Sequence, residues 1–126
     1  VFKVNSQLDK VKIAEQVADY NTKLANYIET LKNRHRNQIN IELFDTAASF
    51  SQIISSPAKY GIANVTDSCL NLNTDSSGNY LKAQKARVIC SNADTFMFWD
   101  NLHPTTKMHE ILATEVDKFI QNKYSF

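Results

Sequence analysis

Thr95-Phe96-Met97-Phe98-Trp99-Asp100-Asn101-Leu102-His103-Pro104-Thr105 divides into three parts that make different physical demands. Phe96 to Trp99 is continuously apolar, which predicts a buried segment delivering the next residues to a site. Asp100 and His103 come next. Their spacing puts carboxylate and imidazole on one side of a single turn. Pro104, Thr105 and Thr106 then make a good helix start, and Met108, Ile111, Leu112, Val116, Phe119 and Ile120 run at helical spacing toward the C-terminus.

A carboxylate so placed can hold one nitrogen of the imidazole while the other faces a nucleophile or substrate. Acyl transfer uses this pairing, because its general base must be neutral, fixed in one tautomer and stabilised once it becomes imidazolium. Phe98 and Trp99 would lower the local dielectric and strengthen the pair. The residues alone leave two other readings open. One is a metal site drawn from Asp100, His103, His109 or Glu110, with hydrolysis by bound water. The other is a non-catalytic helical binding module in which Asp100 and His103 merely form a helix-start pair.

Upstream, Val17, Tyr20, Leu24, Tyr27, Ile28 and Leu31 alternate spacings of three and four, which predicts an amphipathic, core-covering helix over residues 7–33. Ser6 and Asp9 resemble a capping box at its start, and the basic turn Arg34 to Asn37 ends it. Ile39-Asn40-Ile41-Glu42-Leu43-Phe44 reads as a strand. Asp45 and Thr46 can cap a short helix running to about Ser55, with Phe50, Ile53 and Ile54 inward and Pro57 closing it. Residues 58–93 show no long periodicity and read as an extended loop. Within them Cys69 and Cys90 flank a polar stretch suited to a surface loop, closed by a bridge or carrying two unpaired thiols. Three helices and one strand cannot cover both faces of a parallel sheet, so the chain reads as an incomplete domain. Two glycines, Gly61 and Gly78, are few for the tight turns such a sheet needs.

With 126 residues, one core is the most the chain can build, and 43% apolar with 21% charged content is that of a globular protein. A net charge of +1, with no basic run beyond Arg34-His35-Arg36, offers no electrostatic footprint for nucleic acid. No apolar run approaches the ~20 residues that cross a bilayer. Val1 reads as a processed or truncated end, since the N-terminus has neither a Met start nor the charged-then-apolar pattern of a signal peptide.

The block Phe98-Trp99-Asp100-x-x-His103-Pro104-Thr105 is similar to the last motif of GDSL (SGNH) lipases, and Pro57-Ala58-Lys59-Tyr60-Gly61 resembles an earlier Asn-Pro-x-x-Tyr-Gly segment of that family. The order of elements fits, and the resemblance runs from about Asp19 to Phe126. Met97 through His109 and the closing Phe119-Ile120-x-x-x-Tyr124-x-Phe126 look closest to bacterial secreted lysophospholipases A and glycerophospholipid–cholesterol acyltransferases. The resemblance implies an α/β fold, the three-layer α/β/α SGNH-hydrolase arrangement on a flavodoxin-like parallel sheet. Residues 1–126 would be the C-terminal part of that single domain. It implies a Ser-Asp-His triad in which Asp100 and His103 are catalytic, and a disulfide between Cys69 and Cys90 closing a loop over residues 69–90. Met97, Trp99 and Leu102 would wall an acyl pocket. The implied substrate is a fatty-acyl ester of a (lyso)glycerophospholipid, with a sterol as a second acyl acceptor. No cofactor and no metal are implied. Partners are the lipid and a serine-bearing N-terminal segment, contact with a membrane or micelle would be transient, and the location would be secreted or periplasmic.

The departures carry equal weight. Neither the family's Gly-Asp-Ser-Leu nucleophile block nor its Gly-x-Asn-Asp block occurs in these residues. Ser49, Ser51, Ser55 and Ser56 fall on or just after the short helix, where structural roles are expected. The serine and the oxyanion-hole donors therefore belong to a separate segment. His109 is expected on the opposite side of its helix from His103, in a structural or surface role, and His35 in solvent. Tyr60 can line the site or pack. The Asn64-Val65-Thr66 sequon is of a kind common by chance.

Overall fold

The computed structural model describes residues 7–36, 38–72, 86–100 and 102–124, and these separate into two units, residues up to Phe44 and residues from Asp45 onward. The Ser6 half of the expected capping box, Gly78 and the middle of the cysteine loop lie outside the described residues.

In the first unit, helix α1 (Gln7–Arg34) carries Asp9 in its first turn and Lys32 and Arg34 in its last, complementing the helix dipole at both ends. Lys23 and Asp19 pair one turn apart at 2.7 Å. The backbone then turns through His35, whose N–H donates to the Leu31 carbonyl at 3.0 Å, and Gln38 N–H donates back to His35 at 3.0 Å. Residues 39–44 correct the expected strand. They have the composition of one but pair with none of the described strands, and β-propensity is expressed only through a ladder partner. Lys32 tethers the segment through Glu42 at 2.9 Å. The helix boundaries agree with the sequence reading, and of the expected apolar positions Leu24, Ile28 and Leu31 are half-buried while Val17, Tyr20 and Tyr27 are exposed. Periodicity fixes which face of a helix is apolar, and only tertiary packing supplies something to bury it against.

The second unit holds the core. Helix α2 (Thr46–Ser55) starts where expected, with Asp45 Oδ1 accepting from the Ala48 N–H at 2.9 Å as an N-cap. Its Ile53 is buried, but Ile54 is exposed, contrary to expectation. A 3₁₀ turn (Pro57–Tyr60) follows and closes on Gly61, whose φ of 72° is a left-handed conformation that glycine adopts without strain. The described residues between 58 and 93 also hold more regular structure than their sequence announces. Strand β1 (Asn64–Ser68), β2 (Leu70–Leu72), β3 (Ala86–Ile89) and a 3₁₀ turn (Ala93–Thr95) precede β4 (Phe96–Phe98). These strands are too short and β1 too polar to show a period of two, and they exist through pairing.

β1 and β4 form a parallel pair with Asn64 opposite Phe96 and Ser68 opposite Phe98, while β2 and β3 pair antiparallel. Helix α3 (Thr106–Tyr124) packs against β4 and the 3₁₀ turn before it. Ile53, Ile62, Met97, Met108 and Ile111 make the core, with Phe50, Tyr60, Val65, Phe98 and Leu112 packed around it. The described fold is thus α/β, three helices with a two-stranded parallel sheet and a two-stranded antiparallel ribbon. Cys69 and Cys90 form a disulfide with Cα atoms 4.8 Å apart. Closing a loop of this length restricts the unfolded chain by roughly 3 kcal/mol in the chain-entropy picture.

Candidate active site

β4 carries the site. Its three residues alternate, with Met97 fully buried in the core, so the chain reaches Trp99 already registered against β1. Two further bonds extend that register past the strand: Cys69 N–H donates to the Phe98 carbonyl at 2.9 Å and Leu70 N–H to the Trp99 carbonyl at 2.7 Å. Trp99 N–H donates across the following turn to the His103 carbonyl at 2.8 Å, and Phe98 bridges Pro104. The turn bearing Asp100 and His103 is closed at its own base and held along one side by the start of the cysteine loop.

Asp100 is buried, and both its oxygens accept hydrogen bonds from this turn. Oδ1 accepts from the Leu102 N–H at 2.8 Å and the His103 N–H at 2.6 Å, while Oδ2 lies 2.8 Å from His103 Nδ1. Burial pushes the Asp100 carboxyl up, but the His103 amide, the His103 ring and the Leu102 amide outweigh it and hold the group below its ordinary value. Asp100 is therefore an anion and an acceptor for Nδ1–H, an arrangement that in a neutral imidazole leaves the lone pair on Nε2. The His103 side chain is 62% exposed, so the imidazole is the accessible member of the pair.

This arrangement sets a stability dependence. A carboxyl that holds its proton less tightly folded than unfolded makes the unfolded state the better proton binder just below the unfolded value of 3.8. Asp100 therefore stabilises the fold fully above about pH 5, and its contribution is lost as pH falls through the depressed folded value. Urea midpoints should drop less between about pH 5 and pH 3 in Asp100→Asn than in wild type. Identical pH slopes would mean that the carboxylate contributes nothing to the fold.

The remaining expected residues separate. Trp99 and Leu102 stand at the surface, 37% and 44% exposed, on either side of Asp100. Met97 does not join them: it is a core residue with no accessible surface, so its expected place in a substrate wall is corrected. Met97 lies within β4, which packs into the core, whereas Trp99 and Leu102 lie beyond the end of that strand, in the turn. His109 is exposed and borders, with Trp99, Asp94 and Pro104, a cavity of about 370 Å³. Tyr60 packs on the core. Ser49, Ser51 and Ser55 each donate their hydroxyl to a carbonyl at the start of, or within, their own helix, the structural role expected of them. Among the described residues no three His, Cys, Asp or Glu side chains lie close enough to share a metal ion. The amides of Cys69 and Leu70 that hold the turn had no signal in the sequence, because any residue but proline supplies an N–H.

Relatives agree with this geometry in family. The chain is 36% identical over 118 residues to the thermolabile hemolysin of Vibrio parahaemolyticus, covering 91% of this chain and 27% of that protein. It is 30% identical over 114 residues to a GDSL esterase/lipase of Arabidopsis thaliana, covering 90% of this chain and 27% of the relative. A second Arabidopsis thaliana protein, GDSL esterase/lipase APG, is 30% identical over 96 residues, 76% of this chain and 27% of its own length. The chain thus spans about a quarter of the length of these relatives. The family model for GDSL-like lipase/acylhydrolase matches residues 7–116, and this chain belongs to that family.

Proposed function

We propose that residues 1–126 are the C-terminal part of a single SGNH hydrolase domain, the acid–base part of a serine ester hydrolase acting on fatty-acyl esters of (lyso)glycerophospholipids. The observation that carries this reading is the 2.8 Å contact between a buried Asp100 and an exposed His103 imidazole. The nucleophilic serine is assigned to the part of the relatives' length that this chain does not span, as are the strands that would complete a three-layer α/β/α sandwich. The exposed apolar residues of α1 and the strand-like composition of residues 39–44, which join none of the described sheets, support that assignment.

In the mechanism, His103 Nε2 removes the proton from the serine hydroxyl as its oxygen attacks the ester carbonyl, then returns it to the departing lysolipid or glycerol oxygen. Asp100 holds Nδ1–H throughout and stabilises the imidazolium. Water, deprotonated by the same nitrogen, releases the fatty acid; a sterol hydroxyl in its place gives acyl transfer. No cofactor is required. The Cys69–Cys90 bridge supports an oxidising, secreted or periplasmic location.

Trp99 and Leu102 offer the apolar surface an acyl chain needs beside the base. A net charge of +1 gives little hold on an anionic bilayer, so contact with a membrane or micelle is transient. Single-chain lipids leave a bilayer readily and should be favoured. With the complete enzyme, lysophosphatidylcholine should be hydrolysed faster than diacylphosphatidylcholine, and a short-chain acetyl sugar slowest. Preference for the acetyl sugar refutes the lipid assignment, and failure of the complete protein to react with a serine-directed phosphonate restores the non-catalytic reading.

A further inference from the structure

His103 must present Nε2 to the serine within a few tenths of an ångström, and a displacement of about 1 Å can cost on the order of 10²-fold in rate. The imidazole is mostly exposed, so packing around the ring does not fix it. Asp100 Oδ2, 2.8 Å from Nδ1, orients the ring, and the place of the pair as a whole is set by the backbone. On the N-terminal side the turn is closed by Trp99 N–H to the His103 carbonyl. On the C-terminal side only Pro104, whose ring locks φ near −65°, separates His103 from Thr105.

Thr105 is the most heavily tied residue in this region. It is 2% exposed; its N–H donates to the Met97 carbonyl at 3.1 Å, and its hydroxyl donates to the Phe96 carbonyl at 2.7 Å. The same hydroxyl accepts from the Met108 N–H at 3.2 Å, capping α3. One oxygen thereby joins strand β4 to the first turn of α3, and a rigid proline carries that fixed point to His103. An ordinary N-cap would need only the second of these bonds.

Resting on the catalytic reading of His103, we propose that Thr105 is a positioning residue for the general base, its hydroxyl locking strand β4 and helix α3 together two residues beyond the imidazole. A serine at this place keeps both hydroxyl bonds. Valine keeps the volume and loses both, leaving the Phe96 carbonyl and the Met108 amide without them.

The test compares Thr105→Val, Thr105→Ala and Thr105→Ser in the complete enzyme, with active sites counted by titration against a serine-directed phosphonate, alongside His103→Ala. Per titrated site, Thr105→Val and Thr105→Ala should lose roughly 10–100-fold in kcat with KM nearly unchanged, since a misplaced base affects the transition state more than binding. Thr105→Ser should stay within about threefold of wild type. The proposal is overturned if Val or Ala keeps wild-type kcat per titrated site, if Ser fails to restore it, or if neither hydroxyl-free variant yields titratable enzyme, which would make Thr105 a folding residue. An active His103→Ala enzyme would instead overturn the catalytic reading beneath it.

Discussion

Replacing His103 with alanine in the complete enzyme should lower kcat on the order of 10⁴-fold or more, the scale at which serine hydrolases lose activity without their general base. Little of the fold should go with it. The ring is 62% exposed, and the backbone N–H and carbonyl of residue 103, which bond to Asp100 and Trp99, are kept by alanine. Among the described residues, the side-chain hydrogen bond lost is that of 2.8 Å from Nδ1 to Asp100 Oδ2. Kinetics on a lysophospholipid, read beside the thermal midpoint, would separate the two effects. Retention of more than about a tenth of the wild-type rate would remove His103 from the mechanism, because the other partial contributions to a triad do not compensate for an absent base.

Asp100→Asn is the more discriminating change, since it alters hydrogen bonding without altering shape. Oδ1 of Asp100 accepts two backbone amides at 2.8 and 2.6 Å, so an asparagine must keep its carbonyl oxygen on that side. Turning the amide round would set its NH₂ against two N–H donors. Its NH₂ is therefore forced to face His103 Nδ1, which must then accept, and the ring proton moves to Nε2. The imidazole is left in the tautomer that cannot take a proton from serine. In a serine protease, a different protein, the equivalent change costs about 10⁴-fold in kcat, and a loss of that order is expected here with the turn intact. A loss smaller than about tenfold would mean that Asp100 builds the turn and does nothing for the base. An equal loss accompanied by a collapsed thermal midpoint would mean that the buried carboxylate is needed for folding first.

These two residues were legible in the sequence because their signal is local. Asp100 and His103 are three apart in a turn, and the apolar run before them and the helix start after them lie within a few residues on either side. The same holds for α2, where Asp45 supplies its own cap, and for α3. Each depends on contacts between neighbours in the chain. Residues 39–44 and β1 show the opposite limit. The first has a strand's composition but joins none of the described sheets, whereas the second has a polar composition and becomes a strand by pairing with β4. A ladder is a property of two segments, and one segment's residues do not state whether the other is within reach.

The side on which each residue of the apolar run falls followed the same division. Composition placed Met97, Phe98 and Trp99 together near the base, but Met97 lies within β4 and is buried in the core, while Trp99 lies past the end of the strand, at the start of the turn, and stands at the surface. Sequence by itself determined the chemistry of the pair, the helices and the family resemblance, all of which rest on residue type and short-range spacing. Only the tertiary structure decided that Asp100 is buried with both oxygens occupied and that Thr105 bolts the turn to the strand. It alone put the amides of Cys69 and Leu70 alongside the site, because these bonds join groups that are distant in the chain, and for the amides every residue but proline carries the same donor.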